Sequence, residues 1–376
     1  MTTADGGSEK GAMSGARVPR VMGRRYRSLR PAAWTLGAAL VAGLAGTGCV
    51  RYLTVEGGPQ AYYQTAFPGH DVSGHLEEAF RAVKRIRVTG VYDHYRFSPE
   101  AAPLEGDPLG PNVLARAVDT FTNSTSREAS AAQIARAGRR VTLLTNHHAT
   151  HFPDTVVEYV ETAGRTPPAP PGRRRIDRIS VRRAQYNLVM DRAGIQPFEI
   201  LARDVQSDLA LIGASYPIGT EGRVLSVLQV QVGDADRLSW GSFVYVLGHP
   251  GGYPMVTRGI VSDPRREATA SFLIDGLWNE GISGGPILAV RGQDGSLEWV
   301  GIARAAAGRL EHRLTPDPES IQALDQRQLY EGRIYLEEIQ RILYGISLSV
   351  PMTTIREFIN RNRADLRRRG WEAPRF

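Results

Sequence analysis

Residues 279–288 read NEGISGGPIL. One serine, Ser283, stands among Gly281, Gly284 and Gly285, and Pro286 stops the turn. Glycine loses more chain entropy on ordering than any other residue, so a cluster of it marks backbone that must take unusual angles or be closely approached. An exposed loop and a reactive serine both fit that description, and the rest of the chain has to decide between them.

GISGG has the G-x-S-x-G spacing of the strand-turn-helix elbow in α/β-hydrolases, where the acid and then the histidine follow the serine. Downstream of Ser283 the only histidine is His312, in a polar stretch, and the flanks are strand-like. An esterase of that type remains the weaker alternative. The upstream residues fit another order. LLTNHHAT (143–150) ends a strand-like run on a histidine pair, and SDLALIG (207–213) sets Asp208 at the mouth of an apolar run. Histidine, aspartate, serine is the chymotrypsin-type order. A serine hydroxyl needs a base to take its proton, and the base needs a carboxylate to fix its tautomer. Backbone N–H groups around Gly281, Ile282 and Ser283 would converge on a developing oxyanion, which a side chain at 281 would obstruct.

The run-up to this region supplies the architecture. Short runs such as RRVTLLTN, TVVEYV, SFVYVLGHP, GPILAV and LEWVGIARA are rich in β-branched and apolar residues, with Gly, Pro or Asp between them. Strands repeating without long alternating helices predict an all-β protein. LEEAFRAVKRIRV (76–88) predicts a helix that leads into the first strand, and TTIREFINRNRADLRRR (353–369) a closing helix that Thr353 or Thr354 can cap. Three segments interrupt the pattern. Residues 98–112 read as a loop, 163–183 as a Pro-then-Arg surface insertion, and 316–343 as a helical insertion with Ile334, Ile339, Ile342 and Leu343 on one face.

Taken together, TNHHA (145–149), SDLALI (207–212) and NEGISGGPI (279–287) resemble the trypsin-like serine proteases, and most closely their HtrA/Deg branch. VLGHPGGYPMVTRGIVSD, WVGIARAA and GISLSVP are similar to that branch's later hairpin, its cleft strand and its last strand. The resemblance spans roughly residues 85–362. It implies two antiparallel six-stranded β-barrels of chymotrypsin type, about 81–218 and 219–352, with a C-terminal helix at about 353–368. It also implies a triad of His148, Asp208 and Ser283, an acyl-enzyme, protein or peptide substrates, and no cofactor. The residue six places before the nucleophile, Leu277, would sit at the base of the specificity pocket, with Trp278, Ala303 and Ala305 around it and Arg304 pointing elsewhere. That pocket would favour small or medium apolar side chains. Ser130-Ala131-Ala132 stands where the branch has a small GSG stretch, and no PDZ-like domain is expected after the last strand.

Composition narrows the alternatives. The 376 residues carry a net charge of +7, almost all of it as arginine in runs near 20–30, 173–183 and 367–369. No aromatic residues interleave them at a stacking period, so nucleic acid is not the expected partner. HHATH (147–151) invites a metal reading, but His148 as general base needs no metal and no H-E-x-x-H spacing is present. Residues 22–49 run from a basic head through an apolar stretch too short for a span of about 20 residues, to small residues and Cys49. This build predicts a signal of residues 1–48, with Met13 or Met22 as a possible start. Cys49, the only cysteine, would become a lipidated first residue, opening a tether and lead-in segment over residues 49–80. The expected place is the bacterial cell envelope, beyond the inner membrane and facing the periplasm. The rival from another class is a non-catalytic envelope binding protein on the same fold.

Overall fold

The computed structural model describes residues 61–160, 172–266, 271–316 and 334–376; the leader, Cys49 and most of the tether lie outside them. The first barrel is built from β1 (Val83–Arg96), β2 (Asp119–Ala137), β3 (Arg140–Thr145), β5 (Ile176–Asp191), β6 (Gly194–Asp204) and β7 (Leu209–Ser215). Their antiparallel order β1-β2-β3-β7-β6-β5 closes through pairing of β5 with β1. A seventh strand, β4 (Thr155–Tyr159), joins the free end of β5.

The second barrel repeats the plan. It uses β9 (Phe243–Gly248), β10 (Met255–Arg266), β11 (Ser271–Asp275), β12 (Pro286–Val290), β13 (Leu297–Pro316) and β14 (Ile334–Pro351). The order β12-β9-β10-β11-β14-β13 closes through β12 and β13, and the two-residue β8 (Gln231–Val232) runs parallel to β13. The expected all-β architecture of two closed six-stranded barrels is what the chain forms.

The apolar runs of the sequence have a physical cause in four strands buried on both faces. In β3, Val141 and Leu143 fill the first barrel while Leu144 joins the cluster between the barrels. In β7, Ile212 and Ala214 point inward, and Leu209 and Leu211 point the other way. β9 and β12 do the same in the second barrel, with Val244, Val246, Ile287 and Ala289 inside and Leu247, Leu288 and Val290 facing the shared cluster. Because side chains alternate with a period of two, a slip by one residue would exchange the two faces. Each fully buried aliphatic side chain contributes about 1.5–3 kcal/mol.

Two helices close the shared cluster. Helix α1 (Ser73–Arg81) precedes β1 and supplies Ala79, and the one-turn α2 (Pro111–Leu114) lies between β1 and β2. Helix α4 (Met352–Arg368) supplies Met352, Ile355, Phe358, Ile359 and Leu366 along one stripe. Its N-cap is Pro351, with no side-chain cap, so neither Thr353 nor Thr354 takes the capping role. Trp371, just beyond α4, lies on Gly213 of β7, where a Cβ would come within 2.7 Å of the indole.

Two readings of the insertions are corrected. Residues 176–183 of the stretch 163–183 are strand: Ile176–Asp191 is β5, and its Arg178 pairs with Glu158 of β4 and its Arg182 with Asp154 just before β4, while 163–171 lie outside the described residues. The flanks of 316–343 are strand as well. β13 and β14 extend as a two-stranded ribbon from Ala307↔Leu343 to Pro316↔Ile334. Ile334, Ile339, Ile342 and Leu343 therefore lie on a β-strand, and Leu310, Leu314, Ile334 and Ile342 are exposed.

Candidate active site

The site gathers at the ends of the doubly buried strands. Past β3, Asn146 is still extended, and a single helical turn, α3 (His147–Thr150), lifts the chain out of the sheet. His148 sits on that turn with its side chain 43% exposed. Asp208 immediately precedes β7 and is buried. At φ +56 it is the only non-glycine residue with positive φ among the described residues. Aspartate tolerates this left-handed region better than most side chains, and such strain clusters at functional sites.

The surroundings hold Asp208 in that conformation. Its carbonyl oxygen accepts the Asn146 side-chain amide at 3.0 Å and the His147 N–H at 3.1 Å. Its carboxylate accepts the His148 backbone N–H at Oδ1, 2.9 Å, and the His148 ring at Oδ2 from Nδ1, 2.7 Å. Burial works to raise the Asp208 carboxyl, but the His148 hydrogen bonds and charge and the Arg304 charge outweigh it, holding it below the usual carboxylate value. An ionised Asp208 assigns the ring proton to Nδ1 and leaves Nε2 as the acceptor.

The serine loop arrives from the other barrel, between β11 and β12. The Glu280 carbonyl accepts from the Gly251 N–H at 2.8 Å, and the Ile282 carbonyl from the Gly285 N–H at 2.9 Å. In a trans peptide the C=O and the following N–H point in opposite directions. The N–H groups of Gly281 and Ser283 are thus turned away from these anchors, and neither has a hydrogen-bond partner among the described residues. Gly281 takes φ +101, and a Cβ there would strike the His249 carbonyl oxygen; Gly284 takes φ +84 and would strike that of Ser130. These two glycines answer the question NEGISGGPIL raises: only a residue without a side chain can make this turn. Ser283 itself is half-buried, and its hydroxyl makes no hydrogen bond to His148. The carboxylate–imidazole pair is assembled.

Ser130 of β2 ties the loop to the first barrel. Its N–H donates to the Ser283 carbonyl at 2.8 Å and its hydroxyl to the Gly281 carbonyl at 2.7 Å. The same hydroxyl accepts the His249 N–H at 2.8 Å, and the Ser130 carbonyl accepts from Thr145 Oγ1 at 2.8 Å. The sequence marks the small stretch at 130–132, but these four bonds reach residues 15 to more than 150 positions away and leave no local signal.

The expected pocket residues are not brought together. Leu277 stands in solvent at 69% exposure, so it floors no pocket; Trp278 is packed into the second barrel's core at 2%. Ala303 is fully buried, its N–H and C=O both bonded to the serine loop, and Ala305 is half-buried. Arg304, expected to point elsewhere, crosses to the first barrel and donates from Nε to Asp208 Oδ2 at 3.2 Å. His147 and His151 stack their rings at 5.0 Å. His249 is half-buried beside Phe80, with its inaccessible ring nitrogen Nδ1 unpartnered.

Residues 130–302 match the family model of the trypsin-like peptidase domain. The match takes in a little under half of the chain. The matched span begins at Ser130 and encloses His148, Asp208 and Ser283. Among solved structures, the chain is similar to the HtrA-type protease AlgW with a tripeptide, at 17% identity and a TM-score of 0.39. That match covers 78% of this chain and 63% of the other. A serine endoprotease from Yersinia pestis is similar at 16% identity and a TM-score of 0.40, covering 80% and 69%. The chain thus spans under two thirds of the length of AlgW. No curated protein matches it in sequence.

Proposed function

We propose that the trypsin-like peptidase domain is a serine endopeptidase working through His148, Asp208 and Ser283. The observation that carries this reading is the Asp208–His148 pair, facing a serine loop whose Gly281 and Ser283 N–H groups are unpartnered. As Ser283 Oγ bonds to the substrate carbonyl carbon, its proton passes to His148 Nε2, and Asp208 stabilises the imidazolium. The two N–H groups receive the oxyanion. The imidazolium then returns the proton to the leaving amine as the C–N bond breaks, leaving an acyl-enzyme that water hydrolyses by the same steps.

Substrate placement follows from the β13 edge. Ala305 and Ala306 pair with β14 on one side, and no strand lies on their other side among the described residues. An extended peptide can add there by main-chain hydrogen bonds. Ala303 and Ala305 bring no charge to this edge and Arg304 brings a positive one, so small apolar side chains are favoured over Arg or Lys at the cleaved bond. We place the protein in the bacterial cell envelope, held by lipid on Cys49 and facing the periplasm, on the strength of the leader at residues 22–49.

A serine-directed fluorophosphonate probe, paired with hydrolysis of a peptide library, tests the function. Wild type is expected to label on Ser283 and to cleave. Ser283→Ala should lose labelling and on the order of 10⁶ in turnover. Asp208→Asn should lose about 10⁴. Unchanged hydrolysis by Ser283→Ala would refute the assignment. A folded wild type that neither labels nor cleaves would leave a binding protein on a protease fold.

A further inference from the structure

The triad carboxylate has a partner that the reaction as described does not use. Along the β13–β14 ladder the register steps from Ala303↔Ser349 to Ala305↔Leu348, so Arg304 is the extra residue of a bulge and has no counterpart on β14. Bulges re-aim a side chain and recur beside active sites. This one sends the guanidinium of a second-barrel strand across the cleft to the first barrel's Asp208. The contact is only partly solvated, with side-chain exposures of 28% for Arg304 and 9% for Asp208. It also falls on Oδ2, the oxygen that binds His148 Nδ1 at 2.7 Å.

Building on the peptidase reading, we infer that Arg304 is a positioning residue for the triad, a fixed cation that shares Asp208 Oδ2 with the base and sets the pH range over which His148 works. With Arg304 in place, a protonated His148 would complete a cluster of two cations around one carboxylate. Without it, the carboxylate answers to the imidazole alone and holds the imidazolium more firmly. The charge therefore extends activity to lower pH and weakens the stabilisation of the imidazolium formed during turnover. Its position also ties the two halves of the site together, since Asp208 and Ser283 belong to different barrels.

Other charged groups lie around the turn that carries the imidazole. Its own turn supplies His147 and His151. Arg127 of β2 donates to the His148 and His151 carbonyls at 3.1 and 2.9 Å. Arg203 of β6, Arg182 of β5 and Asp154, just before β4, act on the neighbouring His151. All of them remain when Arg304 is changed, so the difference between variants isolates Arg304.

The experiment compares wild type, Arg304→Gln and Arg304→Lys by the pH dependence of kcat/KM. Alongside it, NMR titration of labelled histidine is run with and without Arg304→Gln in a Ser283→Ala background. Arg304→Gln is expected to move the acid limb up by about half to one and a half pH units, with KM changing less than kcat; Lys should keep most of the wild-type profile. The His148 resonance should titrate upward by a similar amount in Arg304→Gln. Superimposable acid limbs or superimposable His148 titrations overturn the inference, and so does a Lys variant that behaves like Gln. The NMR arm needs no turnover, so an inactive wild type whose His148 still responds to Arg304 would refute the peptidase reading and leave the Arg304 contact standing.

Discussion

Replacing Gly281 with alanine puts a methyl group where the backbone leaves no room. At φ +101 an L side chain is already strained, at about 1–3 kcal/mol. The added Cβ would also strike the His249 carbonyl oxygen and come within 3.1 Å of Pro250 Cα. Both are main-chain atoms, held in place by the β9–β10 connection, so they cannot swing aside as the tip of a side chain could. The loop has to move instead. Its two carbonyl anchors, Gly251 N–H on Glu280 and Ser130 Oγ on Gly281, limit the direction of that movement. The 280–281 peptide turns, and the Gly281 N–H is misdirected. Loss of one oxyanion donor costs about 10²–10³ in kcat, or about 2.7–4 kcal/mol. Steady-state kinetics on a cleaved peptide should therefore show kcat down by that factor with KM little changed, and melting should show a domain that still folds. Gly138→Ala is the control. It has φ +60 with nothing within 4 Å of the new Cβ, so it bears the strain without touching the chemistry. If Gly281→Ala stays within threefold of wild type in kcat, or if Gly138→Ala loses as much, the oxyanion assignment fails.

Three further outcomes are expected. Ser130→Ala strands the buried Gly281 carbonyl and His249 N–H, at about 1–3 kcal/mol for each unsatisfied group, and should lower both melting temperature and kcat; an effect on stability alone would remove Ser130 from the site. Burial, aided by the Arg85 and Lys84 charges, pushes His249 down to about 4, below its ordinary value near 6.5. Between those values the unfolded chain binds a proton that the folded chain does not, so stability is complete above about pH 6.5 and falls by on the order of 3 kcal/mol as pH drops to about 4. Denaturant unfolding of His249→Phe should flatten that fall, and an unaltered pH slope would refute the cause. Fatty-acid labelling should mark wild type but not Cys49→Ser and should follow the protein into membranes; an unlabelled, soluble wild type would leave an ordinary secreted enzyme.

What the sequence made legible, and what it hid, follows from the range of the interactions. The runs VTLLT, LALIGA and PILAV are almost free of charged and large polar side chains because both faces of β3, β7 and β12 are covered, and such runs are visible in a short window. The ribbon of β13 and β14 is different. Beyond Ala307 it leaves the barrel, so no core enforces a strict alternation on it. Its scattered isoleucines then fit a helical spacing equally well, and of the helix expected at 316–343 residues 334–343 are strand instead, while 317–333 lie outside the described residues. The pocket reading meets a related limit. Counting six residues back from Ser283 finds a place on the backbone but not a side-chain direction, and Leu277 turns outward.

Arg304 shows the same limit at a single residue. Strict alternation along β13 would turn it away from Ala303 and Ala305, and one inserted residue redirects it onto Asp208. A bulge changes the register of a pair of strands, so it is a property of β13 and β14 together and is written in neither alone. The site therefore separates into two kinds of residue. His148, Asp208 and Ser283 stand where doubly buried strands begin or end, and the core that fixes those strands also fixes them. Ser130 and Arg304 instead cross the cleft, each joining one barrel to the reacting group carried by the other. Loosening either crossing contact should lower turnover while the domain still folds, because each barrel keeps its own interior cluster when the contact is lost.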